Sequence, residues 1–268
     1  MKSWELNKFI RTRTVVLCLT LVSSVALVAQ IPDSTALAPK KPRSKAVSVF
    51  LAPTILVGAG IASMDDRGFY SSNDAYECIQ KNYPDFSTHI EDFLMFVPAA
   101  AVYGMNWAGV KGKNNFVDRS LVYLSSLSLA LATTTIIKNT TNVLRPDGSD
   151  HRSMPSNHTA IAFVSATLLF EEYKDLSIWY GVAGYSVATA TGVLRMLNNK
   201  HWMSDVLVGA GLGILATECI YWVYPLLKDS LNKRSAKKSK NNLSLLPYVS
   251  PNHYGVFLQY NIQPFKSL

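Results

Sequence analysis

Three polar clusters interrupt the apolar sequence between residues 138 and 205: K-N-T-T-N-V-L-R-P (138–146), P-S-N-H (155–158) and R-M-L-N-N-K-H-W-M-S-D (195–205). The apolar stretches around them, at 120–137, 159–170, 176–194 and 206–227, are rich in Leu, Ala, Val and Gly. They are too long for buried strands, so each reads as a helix. The clusters therefore mark helix ends. Among their residues are three cations (Lys138, Arg145 and Arg195), two imidazoles (His158 and His201), Ser156 and the carboxylate Asp205.

Working outward, two more apolar segments, 46–64 and 93–110, complete a set of six. The expected fold is all-α: a six-helix bundle, membrane-embedded, followed by a small C-terminal β-hairpin. Only 16% of the 268 residues are charged, against about 25% in soluble domains. The helices also carry Ser, Thr, Tyr and Glu218, so a water-soluble bundle is the competing expectation. The loop 65–92 is long enough for a cap or lid, and its Asp and Glu residues read as a solvated face.

Residues 1–30 combine Lys2, Lys8, Arg11 and Arg13 with an apolar run, 15–29, that ends in small residues. This is the pattern of a signal peptide; an uncleaved N-terminal membrane anchor is the other reading. A basic linker spans 31–45, the helical domain 46–227 and a second basic linker 228–243. Two β-like runs around a Pro/Asn/Gly turn make 244–268 a hairpin, with His253 expected in the turn.

The net charge of +8 resides in the leader, in KKPRSK (40–45) and in the tail from 228 to 240. Basic segments flanking apolar helices suit anionic lipid and not a nucleic-acid face. The Lys/Arg bias places residues 31–45, the loop with Lys111, Lys113 and Arg119, the turn with Lys174 and the tail on the cytoplasmic side. The polar clusters then face the other way. A cleaved leader would invert this if all six segments cross. Cys18, Cys78 and Cys219 form no CxxC or metal-spaced cluster, and no disulfide framework is expected.

Each cluster has its own chemistry. His201 and Asp205, four apart at a helix start, can pair so that the carboxylate fixes the imidazole tautomer and leaves the other nitrogen free to attack. Arg195 can reach back to the same point. Ser156 and Asn157 are natural caps on a helix N-terminus that offers N–H groups to an anion, and His158 sits where a general acid could act. Lys138 supplies a point charge and Arg145 a planar fork matched to phosphate oxygens. His151 and Arg152 read as solvated loop residues.

The order and spacing resemble the type 2 phosphatidic acid phosphatase (PAP2) superfamily, which includes bacterial acid phosphatases, lipid phosphatases and vanadium haloperoxidases. Its pattern is K-x6-RP, then PSGH, then SR-x5-H-x3-D. Lys138, Arg145 and Pro146 fit the first part; Pro155, Ser156 and His158 the second; Arg195, His201 and Asp205 the third. Asn157 replaces the glycine of the second part, a change a left-handed backbone there would tolerate. Leu194 replaces the serine of the third.

The resemblance implies a phosphatase in which His201 attacks phosphorus, Asp205 orients it and His158 protonates the leaving oxygen. Lys138, Arg145, Arg195, Ser156 and the N–H of Asn157 would bind the phosphate. The sequence has no carboxylate cluster suited to Mg²⁺ or Zn²⁺, so turnover without a metal or other cofactor is expected, with vanadate as an inhibitor. The implied substrate is a phosphorylated lipid, such as lipid A, undecaprenyl pyrophosphate or a phosphatidate-type lipid. The implied place is the bacterial inner membrane, with the site facing the periplasm. A soluble periplasmic acid phosphatase acting on small phosphomonoesters is the alternative. A vanadate-dependent haloperoxidase and a degenerate membrane scaffold are weaker ones. Membrane lipid is the expected partner, nucleic acid is not, and the oligomeric state is left open.

Overall fold

The computed structural model describes residues 45–64, 70–238, 243–250 and 253–260; the leader and all but the last residue of the first linker lie outside them. The described residues form eight helices and two strands. The helices are α1 (Lys45–Ala62), α2 (Ser72–Asn82), α3 (Glu91–Leu94), α4 (Val97–Trp107), α5 (Phe116–Thr141), α6 (Asn157–Tyr173), α7 (Trp179–Leu197) and α8 (Met203–Lys238). The strands are β1 (Leu243–Ser250) and β2 (His253–Tyr260). The chain divides into two compact units, with the boundary after Ile220.

The all-α expectation holds for the first unit, with three changes. The segment 93–110 is two helices, not one, because the ring of Pro98 obstructs a helix through the carbonyl of residue 94. Accordingly α3 ends at Leu94 and α4 begins at Val97, with Pro98 in its first turn. The loop 65–92 contains α2, started by a reciprocal capping box between Ser71 and Asp74, which satisfies two backbone donors. Arg119, read as a loop charge, is instead 2% exposed and paired with Glu172 at 3.1 Å.

Helix α6 is the axis of the first unit. Ser156 caps its start, and thirteen of its seventeen residues are buried, which matches a sequence apolar on every face. Helices α4, α5 and α7 pack against it. The cores are built from small residues: Ala162, Phe163, Ala166, Ala188 and Ala210 in one cluster, Ala130, Val164 and Ala216 in another. Small side chains let helices approach until dispersion between backbones does the holding.

Helices α6 and α8 come close together. A Cβ on Gly209 would lie 2.6 Å from the Ser156 carbonyl oxygen, and one on Gly213 would lie 2.4 Å from that of Ala160. These are backbone atoms with no rotamer to yield, so the G-x3-G spacing sets how near α8 can come. On another face of α8, Gly211 meets Pro53 and Val57 of α1 in the same manner.

Among the described residues, two helices have the length and hydropathy to cross a membrane: Phe116–Thr141 and, within α8, Met203–Asp229. On α5 the outward side chains Val117, Leu121, Leu124 and Ile136 are exposed. In the second unit α8 continues to Lys238, so most of the expected linker 228–243 is helix; its Lys, Leu, Arg and Ala are strong helix formers. The expected hairpin is present, antiparallel, with Leu243 opposite Tyr260 and Ser250 opposite His253. His253 thus opens β2 and is not a turn residue.

Gly213→Ala should lower the thermal unfolding midpoint in detergent, at a cost of about 1–3 kcal/mol from overpacking. Gly104→Ala, where an added Cβ meets nothing within 4 Å, should be neutral or slightly stabilising. Equal midpoints for the two variants would mean that the α6–α8 approach is not tight.

Candidate active site

Each cluster stands at a helix end because its residues stop or start helices. Helix α5 ends at Asn142, whose φ of 50° is the left-handed conformation that asparagine tolerates. Lys138, in the last turn, is 7% exposed, and its Nζ donates to the carbonyls of Arg152 (2.7 Å) and Ser153 (3.0 Å). It therefore ties the first cluster to the approach of the second. Carbonyls satisfy its protons without cancelling its charge.

Arg145 lies in the loop after α5. Its Nε donates to Asp150 Oδ1 at 2.9 Å and its Nη1 to the Lys200 carbonyl at 3.4 Å. Lys200 in turn reaches Asp147 at 2.8 Å. The first and third clusters are thus laced together at the surface. His151 and Arg152 are exposed, as expected of solvated loop residues.

The second cluster follows a cis Met154–Pro155 peptide. Ser156 is fully buried, and its Oγ accepts from the Thr159 N–H (3.4 Å) and hydroxyl (3.0 Å). Its own N–H donates to the Asp205 carbonyl at 3.0 Å, a main-chain link from second to third cluster. Asn157 is the first residue of α6. The positive-φ residues other than glycine among those described are Asn142 and Asn199, so position 157 needs no left-handed backbone, and tolerance of one is not why asparagine fits there. Its Oδ1 is buried without a hydrogen-bond partner. His158, one residue on, directs Nε2 at Asp92 Oδ1, 2.8 Å away.

In the third cluster Arg195 occupies the last turn of α7, 9% exposed, with Nη1 3.2 Å from Glu91 Oε1 and with Nε buried and unpartnered. His201 precedes α8 and is not on it, whereas Asp205 lies in the first turn. His201 Nδ1 and Asp205 Oδ2 are 3.3 Å apart. The same oxygen accepts from the Ser153 hydroxyl and from the Trp202 N–H (2.9 Å). Asp205 has no exposed surface and His201 is 4% exposed. With Nδ1 donating to the carboxylate, Nε2 is the nitrogen left with a lone pair.

Burial pushes His201 down to about 4; Asp205 pulls the other way, and the nearby charges of Lys138 and Arg145 add to the depression. The imidazole is therefore neutral across the physiological range. His158 is also lowered, by burial first and then by Arg195, with Asp92 and Glu91 opposing. The three cations thus share one neighbourhood with the two histidines. All eight residues singled out in the sequence fall at the same end of the helices. A cluster of cations around a neutral imidazole is chemistry suited to a tetrahedral anion and a transfer to nitrogen.

Five participants escaped the sequence reading. Glu91, 1% exposed, bonds Arg195 and Asn198 and belongs to no solvated face, and Asp92, half-exposed, bonds His158. Thr88 and Asn198 exchange two 2.9 Å hydrogen bonds. Ser153 supports Asp205. The available signals were weak: two adjacent acids at the mouth of an apolar segment, and polar residues three positions from Ser156 and Arg195. Beside the site, Trp202 and Tyr76, with ring centroids 5.2 Å apart, help wall a cleft of about 340 Å³. None of the three cations lines it, so the cleft is not the anion pocket.

Residues 119–229 match the PAP2 superfamily. The chain is 41% identical over 163 residues to the lipid A 1-phosphatase of Porphyromonas gingivalis, covering 59% of this chain and 36% of that protein. It is 33% identical over 75 residues to the bacitracin transport permease protein BcrC of Bacillus licheniformis, covering 28% and 35%. It spans about a third of the length of these curated relatives. Among solved structures, Aquifex aeolicus LpxE is similar over 54% of this chain and 93% of its own, with a TM-score of 0.41 at 19% identity. The first transmembrane PAP2 type phosphatidylglycerolphosphate phosphatase from Bacillus subtilis is similar over 68% and 96%, with a TM-score of 0.45 at 21% identity.

The depressed His201 makes acid stability a test of its burial. Its folded value lies below the ordinary 6.5, so the unfolded chain takes up the proton first as pH falls. Stability from this residue is complete above about pH 6.5 and is lost down to about pH 4, on the order of 2–4 kcal/mol. A His201→Asn variant should show a flatter fall in unfolding midpoint over that window. An unchanged slope would place the imidazole in water.

Proposed function

Because residues 119–229 belong to the PAP2 superfamily, we propose that the chain is a phosphoric ester hydrolase acting on a phosphorylated lipid through a phosphohistidine. The observation that carries this reading is the buried His201–Asp205 pair at 3.3 Å, set among Lys138, Arg145 and Arg195. His201 Nε2 attacks phosphorus as the P–O ester bond breaks, and Asp205 stabilises the imidazolium through Nδ1–H. His158 gives a proton to the departing alkoxide. It then takes one from a water that attacks phosphorus, breaking the P–N bond and releasing inorganic phosphate. The cations, the Ser156 hydroxyl and the Asn157 N–H hold the equatorial oxygens, where charge develops and fixed dipoles matter most.

A lipid substrate is supported by the apolar outer face of α5, by two helices of membrane-crossing length and by the lipid A 1-phosphatase relative. Phosphorylated lipid A heads the candidates, with undecaprenyl pyrophosphate and phosphatidate-type lipids beside it. The apolar faces take the acyl or prenyl chain while the cations take the phosphate. The site is proposed to face the periplasm from the inner membrane, opposite the basic segments. Turnover is proposed to need no metal, and vanadate, a mimic of the five-coordinate phosphorus, to inhibit.

Phosphate release from a panel of these lipids in mixed micelles tests the reading. His201→Ala should lower release at least about a thousandfold, EDTA should leave the wild-type rate unchanged, and vanadate should compete with lipid. Denatured protein should carry acid-labile, base-stable phosphate on position 201. Full release by the alanine variant would remove His201 from the chemistry.

A further inference from the structure

A segment outside the family-matched residues completes the site. Residues 88–92 lead into α3 and are clipped to the end of α7 by the paired hydrogen bonds between the Thr88 backbone and the Asn198 side chain. The clip leaves two adjacent carboxylates facing two different clusters. Glu91 meets Arg195, and Asp92 meets His158. We propose that Asp92 is a positioning residue that holds the proton of His158 on Nε2, making Nδ1 the nitrogen that gives and takes the catalytic proton. Glu91 does the matching service for Arg195, fixing its guanidinium so that the buried, unpartnered Nε faces the anion.

The inference rests on the hydrolase reading for its catalytic part. It gives the two histidines opposite polarity: Asp205 occupies Nδ1 of His201, which attacks with Nε2, whereas Asp92 occupies Nε2 of His158, which works with Nδ1. A carboxylate is an acceptor only, so Nε2 must carry the proton for the 2.8 Å contact to form. The same carboxylate favours the imidazolium that ester cleavage requires. The charged groups facing His158 are Arg195 from α7, which opposes protonation, and Glu91 and Asp92 from α3, which favour it. Asp92 is 44% exposed at its side chain, so water screens its effect, and its replacement leaves the helical core untouched.

Asp92→Asn should lower kcat about tenfold with KM changed less than twofold. It should also move the alkaline limb of kcat/KM to lower pH by about 0.5–1 unit, since the imidazolium has lost its counter-charge. Asp92→Glu should recover part of the rate. Independently of turnover, ¹⁵N-histidine NMR of the full chain in detergent should find neutral His158 protonated on Nε2 in the wild type, with a lower pKa in Asp92→Asn. Neutral His158 protonated on Nδ1, an unmoved titration, or an unchanged kcat and pH limb would each overturn the assignment. A wild-type chain that titrates as expected but releases no phosphate from any lipid would sink the hydrolase reading and leave the Asp92–His158 pairing standing.

Discussion

A single carboxylate without exposed surface, Asp205, holds the active site together. Its side chain takes hydrogen bonds from His201, from the Ser153 hydroxyl and from the Trp202 N–H, while its main-chain carbonyl takes one from Ser156. Four groups, three of them from two clusters far apart in sequence, are thus located by one residue. All three side-chain bonds fall on Oδ2, while Oδ1 is buried without a hydrogen-bond partner, so those bonds carry the compensation that a buried charge needs. The bonds that locate the histidine are therefore also the condition for the carboxylate to be there. Geometry and stability are the same fact at this point.

The cations are arranged by a different rule. Lys138 donates to backbone carbonyls, and Arg145 and Arg195 each spend part of their donor set on one carboxylate. The His201 imidazole is kept unprotonated first by its own burial, and the charges of Lys138 and Arg145 add to that effect against the pull of Asp205. A neutral imidazole among cations is the combination that the proposed phosphoryl transfer to nitrogen needs.

Much of this was legible in the sequence, for local reasons. Long apolar runs announce helices, caps and prolines mark where they stop, and Lys138, Arg145, His158, Arg195, His201 and Asp205 come in spacings that a short loop can converge. The remainder was hidden because it depends on contacts without period. Glu91 lies 104 positions from Arg195 and Asp92 lies 66 positions from His158, and no motif or repeat links either pair. Two acids before an apolar segment look the same whether they face water or an arginine. Arg119 misled for the same reason, its partner Glu172 lying 53 residues on. The helical tail beyond residue 227 was missed because its charge, which suggests a linker, says nothing against its high helix propensity.

The near contact of α6 and α8 has a further implication for how the sequence can drift. Gly209 and Gly213 touch carbonyl oxygens of Ser156 and Ala160, not their side chains. Every amino acid has a carbonyl, so for this contact the α6 partner could mutate freely, while the α8 partner has no substitute that fits. Tolerance is one-sided. A pair of positions in contact need not covary, and an invariant glycine can have as its neighbour a residue whose identity carries no trace of the encounter.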